Sequence, residues 1–119
     1  MPMSGESEYL SVECDEQFMI ARFTCPKVLE RECEVLQSEI NSKGDACGWR
    51  IALDLSEVLL LASVGLGTLL QLQNAAKGKG GQFALFGAND DLMGLFKMTR
   101  LHKILPVVKT REQAIKAIT

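Results

Sequence analysis

Ser63, in the string Ala62-Ser63-Val64-Gly65-Leu66-Gly67, is the residue whose type and setting could do the most chemistry. It stands where a continuous apolar run gives way to a helical period, so its hydroxyl falls at a helix start and is a candidate N-cap. The same place favours an anion. The unpaired N–H groups and partial positive charge of a helix N-terminus are worth roughly 0.3–1 kcal/mol to an exposed negative group. A phosphoserine at 63 suits that environment. Gly65 and Gly67 lower helix propensity, but they open the first turn to close approach by a partner surface. Asp54 interrupts the preceding strand, either as an acidic neighbour of the serine or as a hydrogen-bonded strand-end residue.

The other reactive types form no constellation. His102 has no serine, cysteine or carboxylate at a motif spacing. Cys14, Cys25, Cys33 and Cys47 include no C-x-x-C, and there is one histidine in the chain, so no tetrahedral metal site is expected. Lys77-Gly78-Lys79-Gly80-Gly81 follows a helix and precedes a strand, the reverse of a phosphate loop, and reads as a helix end and turn. No catalytic residue, metal or cofactor is expected, and the chain is not expected to be an enzyme.

The elements that position Ser63 follow from hydrophobic period. Residues 1–8 are polar and read as a flexible N-terminus, with a single domain over 9–119. Tyr9 to Glu13 alternates as a half-buried strand, Asp15-Glu16-Gln17 turns, and Phe18 to Phe23 returns to make an antiparallel hairpin. Thr24-Cys25-Pro26 reads as the start of the first helix, with Leu29, Cys33, Leu36 and Ile40 as its core stripe. Trp49 either covers the end of the sheet, the commoner role of a residue flanking a strand, or anchors a partner, and Ile51 to Leu55 is a buried central strand. In the helix after Ser63, Leu66, Leu69, Leu70, Leu72 and Ala76 share one face, with Thr68, Gln71 and Asn74 on the other. Gln82 to Phe86 is a covered strand, and Asn89 or Asp90 caps the next helix. Val107-Val108 is a last short strand, and Thr110 with Gln113 forms a capping box for the terminal helix. The order ββαβαβαβα predicts an α/β fold with right-handed crossovers, a small mixed but mostly parallel sheet and helices packed on it.

Composition bounds the partners. A hydrophobic fraction of 47% with 24% charged residues suits one soluble domain, and a net charge of -2 gives no basic field for nucleic acid or an anionic membrane. No signal peptide or membrane span is visible, so a cytoplasmic location with reduced thiols is expected. Leu59-Leu60-Leu61 is too apolar for a plain loop, and part of it is expected to form an exposed docking patch.

The string DLSEVLLLASVGLGTLLQL resembles the signature of the STAS domain family, the anti-sigma factor antagonists and their relatives. Asp54, Leu55, Ser56, Val58, Ser63, Gly65, Leu66, Gly67, Leu69 and Leu70 carry the match. The likeness runs on through the Gly-Gly turn, strand, helix, Thr-x-Leu step and final helix. Three positions depart from the family pattern. Ala62 replaces the acidic residue before the phosphorylated serine, Val64 replaces a second serine, and Arg100 replaces a glycine.

The resemblance implies a STAS-like domain that acts in regulation of transcription as a signalling protein. It would bind an anti-sigma factor that is also a serine kinase, with ATP belonging to that partner. Phosphorylation of Ser63 would reverse the binding, and Leu61, Ala62, Ser63, Val64, Gly65 and Leu66 would form the partner-binding segment. The alternative is a scaffold without a phosphate switch, in a stress-signalling assembly or as an accessory subunit of a lipid-transporting ABC system; Ala62 and Val64 favour it. Direct nucleotide binding near Ser63 is a third reading. A homo-oligomer is left open; nucleic acid and direct membrane insertion are not expected.

Overall fold

The computed structural model describes residues 3–6 as backbone, then residues 9–14 and 17–119. In chain order these form β1 (Met3–Glu6), β2 (Leu10–Cys14), β3 (Met19–Phe23), β4 (Lys27–Val28), α1 (Glu30–Lys43) and, after a 3-10 turn, β5 (Arg50–Asp54). β6 (Leu60–Leu61), α2 (Ser63–Gly78), β7 (Gln82–Phe86), α3 (Asp90–Met98), a second 3-10 turn, β8 (Val107–Val108) and α4 (Arg111–Ile118) follow.

The main sheet has the order β1-β2-β3-β5-β7-β8. β1, β2 and β3 pair antiparallel, while β3, β5, β7 and β8 pair parallel, so the sheet is mixed and mostly parallel as the alternation of elements requires. β5 is central because it is apolar on both faces: Ile51 and Leu53 face one core, Ala52 the other. The larger core lies under α1, α2 and α3 and includes Phe23, Leu36, Leu69, Phe83 and Phe96. On the reverse face Ile20, Ala52, Ala84 and Phe86 meet Ala114 and Ile118 of α4, which packs on β5 and β7. Alanine at 52 and 84 lets that short helix sit close to the sheet.

Several boundaries differ from the sequence reading. Residues 3–6, assigned above to a flexible segment, extend the sheet as β1 through backbone pairing with β2. Residues 1, 2, 7 and 8, and Asp15 and Glu16 of the expected turn, lie outside the described residues.

The first helix starts at Glu30 rather than at Pro26. Lys27-Val28 is drawn into a two-stranded parallel ribbon with Leu60-Leu61, and the Pro26 carbonyl accepts hydrogen bonds from Leu59 N at 2.8 Å and Leu60 N at 2.9 Å. A helix begun at 26 would break these bonds. Leu29 is consequently the N-cap and is 45% exposed, outside the expected core stripe, while Cys33, Leu36 and Ile40 are buried as expected. Glu32 closes the helix start by accepting Leu29 N at 2.8 Å.

Thr68 of α2 is buried rather than on an outer face, because α1 packs beside α2 as well as the sheet beneath it. Its hydroxyl donates to the Val64 carbonyl at 2.9 Å, which satisfies it without an external partner. Gln73, also buried, donates to the Ile104 carbonyl at 3.3 Å and ties α2 to the turn before β8.

Trp49 closes the bottom of the sheet. It is 6% exposed, its indole N–H donates to Asp45 Oδ1 at 2.8 Å, and its ring packs on Gly44 where a Cβ would stand 2.6 Å from it. Gly81 lies against the Trp49 carbonyl, so the Gly-Gly turn is a packing device, as its place after a helix indicates.

Candidate functional site

Ser63 is the first residue of α2, not its cap. The N-cap is Ala62, with φ -74° and ψ 164°, and no side chain caps the helix. One residue of displacement decides the chemistry: a capping hydroxyl is turned back on the helix N–H groups, whereas the Ser63 hydroxyl stands exposed. Because Ala62 N donates to the Val28 carbonyl at 3.1 Å, the ribbon of β4 and β6 holds the start of α2 beside the start of α1.

The expected partner-binding segment divides by burial. Ser63 and Val64 are exposed, Val64 by 44%, and Ala62 and Leu66 are half-buried. Leu61 is 7% exposed and turned inward against buried Gly65, whose missing side chain makes room for it: a Cβ there would lie 2.4 Å from Leu61 Cδ1. The apolar surface around Ser63 is therefore made by other residues. Leu59 is 68% exposed, Leu60 is 50% exposed, and Leu29 joins them from across the ribbon. Part of the Leu59–Leu61 run is thus exposed, as its composition predicted. Leu29 was missed because its spacing fits the α1 stripe; only the pull of the ribbon on residues 27–28 takes it out.

All four cysteines are free, and Cys33 packs below the Gly65 turn. Burial pushes the Cys33 thiol up, and the neighbouring carboxylates of Glu32, Glu30 and Glu34 reinforce the effect. Cys25 is raised in the same way, by burial first and then by Glu32. Both shifts disfavour the thiolate, the nucleophilic form.

Asp54 belongs to the far side of the sheet. Its Oδ1 accepts Ser56 N at 2.8 Å, and it lines a pocket of about 140 Å³ with Ser11, Glu13, Ile20, Arg22 and Arg111, of which Ser63 is no part. His102 is exposed beside the Phe96 carbonyl. Among the described residues no three His, Cys, Asp or Glu side chains lie close enough to hold a metal ion, and no helix is long and apolar enough to cross a membrane.

A family model described as the STAS domain matches residues 9–114. The chain belongs to the STAS domain family. This STAS domain is similar in fold to several solved structures. The anti-sigma-factor antagonist (STAS) domain protein from Planctomyces limnophilus superposes with a TM-score of 0.78 at 20% identity, covering 91% of this chain and 96% of that one. An anti-sigma factor antagonist from Mycobacterium paratuberculosis gives 0.67 at 18% identity, over 99% and 92% of the two chains. The phosphorylated form of the Bacillus cell fate determinant SpoIIAA gives 0.66 at 15% identity, over 90% and 96%. At these identities the likeness is one of fold.

Within the STAS domain two departures from the family pattern acquire a structural meaning. The acidic residue that Ala62 replaces would stand at the N-cap of α2. The glycine that Arg100 replaces would stand at a backbone position with φ 61°, the left-handed region where glycine is free of strain.

Proposed function

We propose that this STAS domain is a signalling module that binds an anti-sigma factor with serine-kinase activity, and that phosphate on Ser63 ends the binding. The observation that carries this reading is exposed Ser63 at the first position of α2, with exposed Val64 beside it, exposed Leu59 and Leu60 just before it in the chain and exposed Leu29 following the paired strand β4. An apolar patch of this kind marks a protein contact, and four exposed leucines and valines in one place serve no folding purpose. A phosphate at its centre adds about 1.5 to 2 negative charges to a surface the partner must desolvate, while the N-terminus of α2 favours the phosphate in the free protein. The domain thereby acts by binding rather than by catalysis, and the nucleotide belongs to the partner.

A second reading, a scaffold or ABC-transporter accessory subunit without a switch, is favoured by Ala62, which leaves Ser63 without the adjacent carboxylate of its relatives. Both are tested on the protein recovered from its own cells in growth and under stress. The switch predicts condition-dependent phosphate on Ser63 and a kinase-like partner retained by Ser63→Ala and lost by Ser63→Glu. An unmodified Ser63 together with a partner that Ser63→Glu retains would overturn the switch in favour of the scaffold.

A further inference from the structure

A net charge of -2 gives the whole chain no basic field, yet the fold places its charges unevenly. At the C-terminal edge of the parallel strands the signs are mixed. Glu57 is paired with Arg22 at 3.6 Å, and exposed Lys27, Lys109 and Arg111 stand at the same end as Asp90 and Asp91.

One corner toward the opposite edge is unmixed. No carboxylate occurs between Asp91 and Glu112, and α3 descends into a 3-10 turn that carries exposed Lys97, Arg100 and Lys103. Gln73 of α2 donates to the Ile104 carbonyl at 3.3 Å, which sets exposed Lys77, one turn further along the same helical face, beside that turn. None of these four side chains has an ion-pair partner among the described residues. Asp90 and Asp91 stand about 9–10 Å back along the axis of α3. The carboxylates at the end of α1, Glu39 and Asp45, are engaged by Lys43 and by the Trp49 indole N–H, and α1 packs on β2 whereas α2 packs on β7.

Two apolar side chains project among the cations. Met98 is 79% exposed, the most of any large hydrophobic residue among those described, and Ile104 is 46% exposed. Lys77 and Lys97 complement the C-terminal ends of their own helices, as cations there ordinarily do. Arg100, Lys103, Met98 and Ile104 have no such explanation. Arg100 holds φ at 61°, so the corner keeps a guanidinium where the backbone favours glycine.

We infer that this corner docks the domain on a bilayer surface containing anionic phospholipid. Projecting apolar side chains enter the boundary between headgroups and acyl chains, while the cations around them meet the lipid phosphates. A nucleic acid would use the cations but leave Met98 and Ile104 idle, and residues 97–104 include no Phe, Tyr or Trp on which a base could stack. The contact is peripheral, since no helix among the described residues is long and apolar enough to cross a membrane. The starts of α2 and α3 lie at the other edge of the sheet, so docking leaves the Ser63 end free. The inference needs neither a kinase nor a phosphate.

Cosedimentation of the full chain with vesicles tests it, using phosphatidylcholine alone and an equimolar mixture with phosphatidylglycerol. Ionic strengths of about 0.01 M and 1 M take the screening length from ~30 Å to ~3 Å. The chain should bind the mixed vesicles alone, at least about tenfold more weakly at high salt. Each Lys or Arg at an anionic surface is worth about 1 kcal/mol, or ~5-fold, so Lys97→Ala with Lys103→Ala should lower the partition coefficient roughly 25-fold. Lys27→Ala with Lys109→Ala, an equal loss of charge at the other end, should bind as the native chain does. Met98→Ser should weaken binding about fivefold without shifting the urea midpoint. A native chain that binds the mixed vesicles no better than phosphatidylcholine, or two double variants that lose binding equally, overturns the inference. If the chain ignores vesicles and is instead retarded by polyuridylate through Lys97 and Lys103, a nucleic acid occupies the corner and lipid is the wrong occupant.

Discussion

Restoring a carboxylate at position 62 should stabilise the domain before it changes any function. Ala62 has the extended conformation of an N-cap, is half-buried, and heads a helix with no side-chain cap. An aspartate there can accept a first-turn N–H, which in other helices is worth about 1 kcal/mol over alanine, with a range of roughly 0.5–2. Its charge adds about 0.3–1 kcal/mol by interaction with the helix dipole. Ala62→Asp is therefore expected to gain about 1–2 kcal/mol in urea unfolding, or a rise of roughly 3–8 °C in the thermal midpoint. Ala62→Asn separates the parts, since it keeps the acceptor and drops the charge; it should gain about 1 kcal/mol, with little salt dependence. The signs with pH differ too. A capping carboxylate has a lowered pKa, so its contribution is full above the ordinary value of about 3.9 and is lost as pH falls through the lowered one, whereas that of asparagine persists. If both variants unfold within about 0.3 kcal/mol of the native chain, the N-cap is not at residue 62 and the exposed placement of Ser63 falls with it.

Gly81→Ala would set a Cβ 2.1 Å from the Trp49 carbonyl oxygen, a backbone atom that cannot move aside, and should cost about 3 kcal/mol or more in urea unfolding. Gly67→Ala, with nothing within 4 Å of its Cβ, should instead gain up to about 1 kcal/mol. Asn89 accepts Leu92 N at 2.8 Å as the cap of α3 and also holds the Val58 carbonyl, so Asn89→Ala should lose about 1–2 kcal/mol by the same measurement. Arg100→Gly relieves a left-handed backbone and, after the loss of chain stiffness, should gain about 0.5–1 kcal/mol. The raised Cys33 and Cys25 thiols stabilise the fold fully below the ordinary thiol value of about 8.5, and that contribution is lost as pH rises through their higher folded values. A Cys25→Ser/Cys33→Ala variant should therefore show a flatter decline in stability above that pH.

Elements whose pattern is local were legible in the chain. The central strand from Ile51, the FALF strand, the capping box at Thr110 and the Gly-Gly turn all follow from neighbours within a few residues. What was not legible depended on partners distant in sequence. Pro26 looks like the first residue of a helix until its carbonyl meets Leu59 and Leu60. Thr68 looks like a surface residue until α1 covers it, and the serine hydroxyl looks like a cap until the Ala62 amide is drawn onto the Val28 carbonyl. The same long-range ribbon moves Leu29 out of the core and into the candidate site. Sequence pattern singled out Ser63 and the leucine run but not which of these residues are buried, because burial there is decided by that pairing.

The ribbon of β4 and β6 is two residues long on each side and separate from the main sheet. It is joined through the Pro26 and Val28 carbonyls, which accept from Leu59, Leu60 and Ala62 N, and is anchored in the core by Val28 and Leu61, so its backbone bonds are few. Amide protons of Leu59, Leu60 and Ala62 should therefore exchange with solvent through a local opening, well ahead of those of β5 and β7, which are released only when the domain unfolds as a whole. The clasp that holds Ser63 in place thus has few backbone bonds of its own, and a ligand seated across it would be recorded first as slowed exchange at these amides.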